Sequence, residues 1–229
     1  ELYEQKIRKN QNIHELQTGL LCIENPRSNG KVLDVEYMEK LQYIANRHHV
    51  PIHLDGARLF NACSFLNVQP IEITKHVDSV LFSLDKGLCA PFGAILAGTK
   101  DFIEEARNRR KLMGGSLHQA GILAASGLVA LKEMRNRLDE DQETAQYLAD
   151  ELAQFDQIDI DPTCVHINMV FFKFKGNSID GEAFTDFFKQ QNILVNEPTE
   201  DGTIKMVTHY WINKSHIDKV IKTMTHFLR

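Results

Sequence analysis

Three side chains of different chemistry fall at matching places in the first half of this 229-residue sequence. In "VPIHLDGARLFNA" (Val50 to Ala62), Asp55 and Arg58 directly follow a short apolar run. In "FSLDKGLCAPFG" (Phe82 to Gly93), Lys86 lies just past the end of another. A charge at the end of a buried strand is costly unless it meets a partner. In parallel α/β sheets, ligands bind at the carboxyl ends of strands. The carboxylate, the guanidinium and the amine are therefore expected to converge on one crevice, and Gly87 leaves room there for close approach.

One cofactor, pyridoxal 5'-phosphate, calls for all three groups. It forms a Schiff base with a lysine, and a carboxylate keeps its ring nitrogen protonated so that the ring draws in electrons. Lys86 would attack the aldehyde as a neutral amine, which desolvation or a nearby cation favours. Asp55 would face the ring nitrogen. Arg58 would face an anion, either the ring oxygen or a substrate carboxylate, which suits its fork of donors. Taken singly, each residue has a plainer reading: Asp55-Gly56 is also a turn, and most lysines are simply solvated. His53-x-Asp55 could begin a metal pair, but no third ligand stands near it, and no metal site is expected.

The elements that must position these residues follow from apolar spacing. Leu2 to Lys9 reads as the end of a helix, Gly19 to Ile23 as a buried strand, and Asn25 to Gly30 as a turn-rich loop. Asp34 can cap a helix through His49, with Val35, Met38, Leu41 and Ile44 on one face. Strands are predicted at Ile52 to Leu54, Ser79 to Ser83 and Phe92 to Ala97, and helices at Ala57 to Phe65, Lys100 to Met113, Leu117 to Arg135 and onward to Phe155. This alternation implies βα units and a mostly parallel sheet flanked by helices. The pattern then changes: strand Ile167 to Phe174, helix Gly181 to Gln191, strands Ile193 to Val195 and Thr203 to Val207, and helix Lys214 to Leu228. The change divides a large α/β domain, 1–137, from a smaller α+β domain, 138–229.

Composition excludes several classes of function. With 43% hydrophobic and 25% charged residues the chain is ordinary for a globular protein, and its length supports a sizeable core. The net charge of −5 is a poor match for nucleic acid or an anionic membrane, despite the cluster Arg107, Arg109, Arg110 and Lys111. No run of about 18 apolar residues is present to span a bilayer, and no signal-peptide pattern opens the chain. Cys22, Cys63, Cys89 and Cys164 lie far apart, as expected for reduced thiols of a cytoplasmic protein.

Three segments, "HLDGARLFNA", "DSVLFSLDKGLCAPFGAILAG" and "RRKLMGGSLHQAGILAASGLVAL", resemble the low-specificity L-threonine aldolases, pyridoxal-phosphate enzymes of fold type I. "NMV" (Asn168 to Val170) and "VTH" (Val207 to His209) extend the likeness. The resemblance implies cleavage of L-threonine- or L-allo-threonine-type amino acids to glycine and an aldehyde. It implies that Lys86 is the catalytic lysine bound to the cofactor, with Asp55 on the ring and Arg58 on the ring oxygen or the substrate carboxylate. It assigns Ser83, Lys111 and the position of His118 to the cofactor phosphate, and the position of Lys205 to the substrate carboxylate. It further implies a homotetramer with sites shared between subunits, and a preceding segment, absent before Glu1, that cradles the phosphate.

Four departures accompany the resemblance. Lys205 and His118 stand where the family has arginine, and Arg27 stands where it has a histidine that assists proton transfer. Lysine keeps the charge but loses the bidentate fork. Arginine cannot serve as a base near neutral pH. Asp85 replaces a small polar residue beside Lys86. These departures support an alternative expectation: a catalytically weakened or inactive family member that keeps the fold and acts as a binding or subunit protein.

Overall fold

The computed structural model describes residues 2–8, 14, 16–176 and 179–229. The chain divides into two units: Glu1–Arg27 with Val32–Arg135, and Ser28–Lys31 with Asn136–Arg229.

The first unit is built on a four-stranded sheet, β1 (Leu21–Glu24), β2 (Ile52–Asp55), β3 (Ser79–Ser83) and β4 (Ala94–Gly98), in that spatial order. β1, β2 and β3 are parallel and β4 is antiparallel to β3, so the sheet is mostly parallel, as predicted. Helix α1 (Leu2–Lys6) precedes it. The sequence predicts this helix to run to Lys9, but Ile7 and Arg8 are not helical; Lys9 itself lies outside the described residues. Helix α2 (Val35–His48) starts where the sequence places its cap: the Asp34 side chain accepts from the Tyr37 N–H at 2.7 Å. It buries Met38, Leu41 and Ala45 against Leu21, Ile23, Ile52 and Leu54. Each large apolar side chain buried here stabilises the unit by roughly 1.5–3 kcal/mol. Helices α3 (Leu59–Leu66) and α4 (Pro70–Thr74) add Leu59, Ala62 and Ile73 to the same core. Parallel sheets are usually covered on both faces. Here alternate residues Cys22, Glu24, Asp55 and Leu96 remain exposed.

Helices α5 (Lys100–Leu112) and α6 (Gly121–Lys132) complete the first unit. α6 is shorter than the predicted Leu117 to Arg135, because Gln119 takes a left-handed backbone (φ 48°) that a helix cannot include. α3 likewise begins at Leu59, after the turn at Gly56 to Arg58, and not at Ala57.

The second unit carries a three-stranded antiparallel sheet, β5 (Ile158–Asp159), β6 (Met169–Phe174) and β7 (Ile204–Val207). Helices α7 (Leu138–Leu152), α8 (Gly181–Gln190) and α9 (Lys214–Phe227) cover it. Phe172, Phe184 and Phe188 are fully buried, and Phe227 packs edge-on against Phe184. The strand predicted at Ile193 to Val195 is not formed. The Ile193 N–H instead donates to the Phe188 carbonyl at 3.0 Å and closes the end of α8, while both side chains still pack on the core. No sequence pattern announced β5, which is only two residues long.

Candidate active site

Asp55 is the last residue of β2, at its carboxyl end. Its side chain is exposed, which corrects the expectation of a charge in a buried strand end. One carboxylate oxygen accepts the Ala57 N–H at 3.1 Å, and no other partner among the described residues takes up the rest of its capacity. Gly56 then lies against β3: its N–H donates to the Leu81 carbonyl at 2.8 Å, and a Cβ there would sit 3.0 Å from that oxygen. A side chain here would force the neighbouring strand to shift, which glycine avoids. The turn delivers Arg58 to the start of α3, half-buried. Its Nε is sealed from solvent without a hydrogen-bond acceptor among the described residues. Burial pushes the guanidinium below its ordinary value, and Glu24 opposes that shift.

Glu24 was not foreseen as part of this group. It ends β1, is the register partner of Asp55, and lies near enough to act on Arg58. The signal was available, since an acidic residue closes the apolar run Gly19 to Ile23 just as Asp55 closes the next.

On β3 the register pairs Leu81 with Asp55, so Ser83 lies at the carboxyl end of the adjoining strand. Ser83 is half-buried, and its hydroxyl meets no partner among the described residues. The following loop is firmly held: the Leu84 N–H donates to Gly93, the Ala90 N–H to Leu84, and the Cys89 N–H to Lys86. Leu84, Gly87, Leu88 and Ala90 are buried. Asp85 and Lys86 project from this anchored turn into solvent, and Lys86 has no ion-pair partner among the described residues. The turn thus presents a primary amine just past a strand end, beside the end that carries Asp55.

Not every expected residue joins this group. Lys111 lies in the last turn of α5 and His118 in the segment before α6, both exposed and without a hydrogen bond or ion pair to Asp55, Arg58 or Lys86 among the described residues. Lys205 belongs to the second unit, on β7, with its ammonium 5.7 Å from the centre of the Phe171 ring. Arg27 follows Asn25, whose buried side chain accepts from the Leu33 N–H at 3.1 Å and donates to the Leu33 carbonyl at 3.0 Å. No group of three or more His, Cys, Asp or Glu residues arranged to hold a metal occurs among the described residues. No described helix is long and apolar enough to cross a membrane.

Comparison with known proteins agrees with this architecture. The chain is 39% identical over 203 residues to low-specificity L-threonine aldolase 1 of Arabidopsis thaliana, covering 87% of this chain and 56% of that protein. It is 34% identical over 220 residues to the low specificity L-threonine aldolase of Escherichia coli K12, covering 96% and 63%. The chain therefore spans little more than half the length of these relatives. The solved structure of Leishmania major threonine aldolase shares the fold, with a TM-score of 0.78 at 18% identity over 99% of this chain and 66% of that one. The profile of the beta-eliminating lyases matches residues 1–175, most of the sequence and all of the strand ends described above, and the chain belongs to that family.

Proposed function

We propose that this chain forms the greater part of a pyridoxal-phosphate-dependent carbon–carbon lyase. It cleaves L-threonine- and L-allo-threonine-type β-hydroxy-α-amino acids to glycine and an aldehyde. The observation that carries the reading is the adjacency of three strand ends bearing Glu24, Asp55 and the anchored turn of Lys86. The residues present fit the cofactor: a sealed guanidinium nitrogen without an acceptor, a carboxylate with spare capacity and an unpaired amine stand together. When bound, pyridoxal phosphate takes up the electron pair released as the Cα–Cβ bond breaks.

The chain's own residues divide the remaining work. Lys86 provides the amine that takes the cofactor covalently. Asp55 holds a proton on the ring nitrogen, because a carboxylate beside it favours the charged form. Arg58 gives its unpaired Nε–H to an oxygen anion, on the ring or on the substrate. Ser83, Lys111 and His118 belong to the phosphate, and Lys205 to the substrate carboxylate. Lys205 holds that carboxylate as a point charge, with less directional grip than an arginine fork. In this reading the assembly is a cytoplasmic homotetramer. The exchanges at Arg27, His118 and Lys205 favour a second reading, a cofactor-binding or subunit protein with little or no aldolase activity.

Absorption spectroscopy and glycine release separate the two. Full-length protein with pyridoxal phosphate should show the visible band of a lysine-bound cofactor and release glycine from threonine. Lys86→Ala should lose both. A band without glycine leaves only the binding reading, and the absence of any band removes both.

A further inference from the structure

Two carboxylates stand side by side at the strand ends of the first unit. Glu24 and Asp55 close adjacent parallel strands and are register partners. Each alternates with buried residues along its strand, so both side chains leave the sheet on its exposed face. Neighbouring strands lie roughly 4.8 Å apart, and like charges directly opposite each other repel. The backbone does not let this pair separate. The Asn25 N–H donates to the Asp55 carbonyl at 3.1 Å, and the Gly56 N–H donates to the Leu81 carbonyl at 2.8 Å. An arrangement of this kind calls for a cation at each carboxylate.

Arg58 is placed to serve Glu24. It follows Asp55 by one turn at Gly56, is half-buried, and its Nε is sealed from solvent without an acceptor among the described residues. Burial disfavours its charge, and Glu24 is the carboxylate whose charge offsets that cost. Asp55 spends one oxygen on the Ala57 N–H and keeps the rest of its capacity. Two other cations, Arg27 and Lys6, line a cavity of about 940 Å3 beside β1 together with Glu24, Tyr3 and Tyr37. Both are exposed, so water already solvates them, and a pair formed there is worth little. The half-buried guanidinium is the cation that needs a counter-charge.

We propose that Glu24 is a positioning residue of the cofactor site, one that holds the Arg58 guanidinium so that its Nε–H meets the oxygen anion Arg58 receives. This rests on the pyridoxal-phosphate reading and adds a residue to it. The two carboxylates divide their work: Asp55 is kept for the ring nitrogen, and Glu24 acts through Arg58. Without Glu24 the guanidinium is better solvated by swinging outward, and its many rotamers let it do so. The sign of the effect separates positioning from charge alone. Pyridoxal phosphate is an anion, so removing a nearby negative charge would by itself tighten its binding. Losing the aim of Arg58 loosens it.

The test titrates full-length protein stripped of cofactor with pyridoxal 5'-phosphate and follows the visible band of the lysine-bound cofactor. Glu24→Gln should raise the dissociation constant about tenfold, the usual worth of one hydrogen bond to a charged group. Glu24→Asp should recover part of the loss. Arg58→Gln should weaken binding at least as much, and adding Glu24→Gln to it should cause no further weakening. Unchanged or tighter binding in Glu24→Gln overturns the proposal. So does an equal loss with Arg58 present and absent, which would mark a general structural role or service to Arg27. A wild type without the band fails the pyridoxal-phosphate reading and takes the proposal with it, whereas a wild-type band with a constant unmoved by Glu24→Gln removes the proposal alone.

Discussion

The backbone N–H of Asn25 donates to the carbonyl of Asp55 across 3.1 Å, which ties the exit of β1 to the end of β2. Because Asn25 also clamps Leu33 through its side chain, the segment bearing Arg27 is fixed at both ends. Glu24, Asp55 and Arg58 are thereby held in one neighbourhood by backbone geometry, before any cofactor contributes.

Asp55→Asn isolates the role of the ring partner. The variant keeps the side-chain shape and the turn of Gly56 but removes the charge that would hold the ring proton. Glycine release should fall on the order of 100-fold, the usual cost of one lost electrostatic contact in a site. The lysine-bound cofactor band should persist, since Lys86 is intact. Activity within threefold of wild type would show that Asp55 has no such role.

The second unit carries an ion pair whose loss should be costly. Arg137 donates to Asp141 at 2.5 Å, and the Asp141 side chain is only 1% exposed. Arg137 also lies under the Tyr210 ring, 4.9 Å from its centre. Asp141→Ala removes the buried counter-charge of a largely buried guanidinium and leaves it only the exposed Glu140, 3.3 Å from its Nε, a change that should destabilise by up to about 3–5 kcal/mol. Replacing an exposed pair such as Lys40–Glu36 should cost under about 1 kcal/mol. Denaturant midpoints of Asp141→Ala and Glu36→Ala compare them directly, and equal shifts would contradict the assignment.

Stability should fall on mild acidification through His166. Burial holds its imidazole below the ordinary 6.5, with the Lys31 charge acting in the same sense. The unfolded chain then binds the proton more readily than the folded one, so stability rises with pH across this window. Lowering the pH from above 6.5 toward the depressed folded value removes that contribution, and further acidification adds nothing from this group. His166→Gln should flatten the fall in the urea midpoint between pH 7.5 and 5.5. An unchanged slope would assign the effect to other groups.

Much of the local structure was legible because it is encoded locally. Asp34 caps α2 as its spacing predicts, and β3 spans Ser79–Ser83 as its apolar run predicts. In both, neighbouring residues alone supply the signal. Ile193 to Val195 misled for the converse reason. Ile193 and Val195 satisfy a strand pattern equally well when they follow a helix end and pack on a core, and the choice depended on the Phe188 carbonyl. β5 was invisible because two residues form a strand only through their pairing with Phe174 and Lys173.

The sequence by itself determined the chemical types of the candidate site, Asp55, Arg58 and Lys86, and their placement after apolar runs, because strand ends and turn glycines are written in short windows. Tertiary structure alone decided that Asp55 is exposed, that Arg58 is half-buried with a sealed nitrogen, and that Glu24 and Arg27 join the same edge of the sheet. Those facts depend on which strands lie side by side. Register between segments some thirty residues apart is set by the packing of Leu21, Ile23, Ile52 and Leu54 into one core, and no local window contains it.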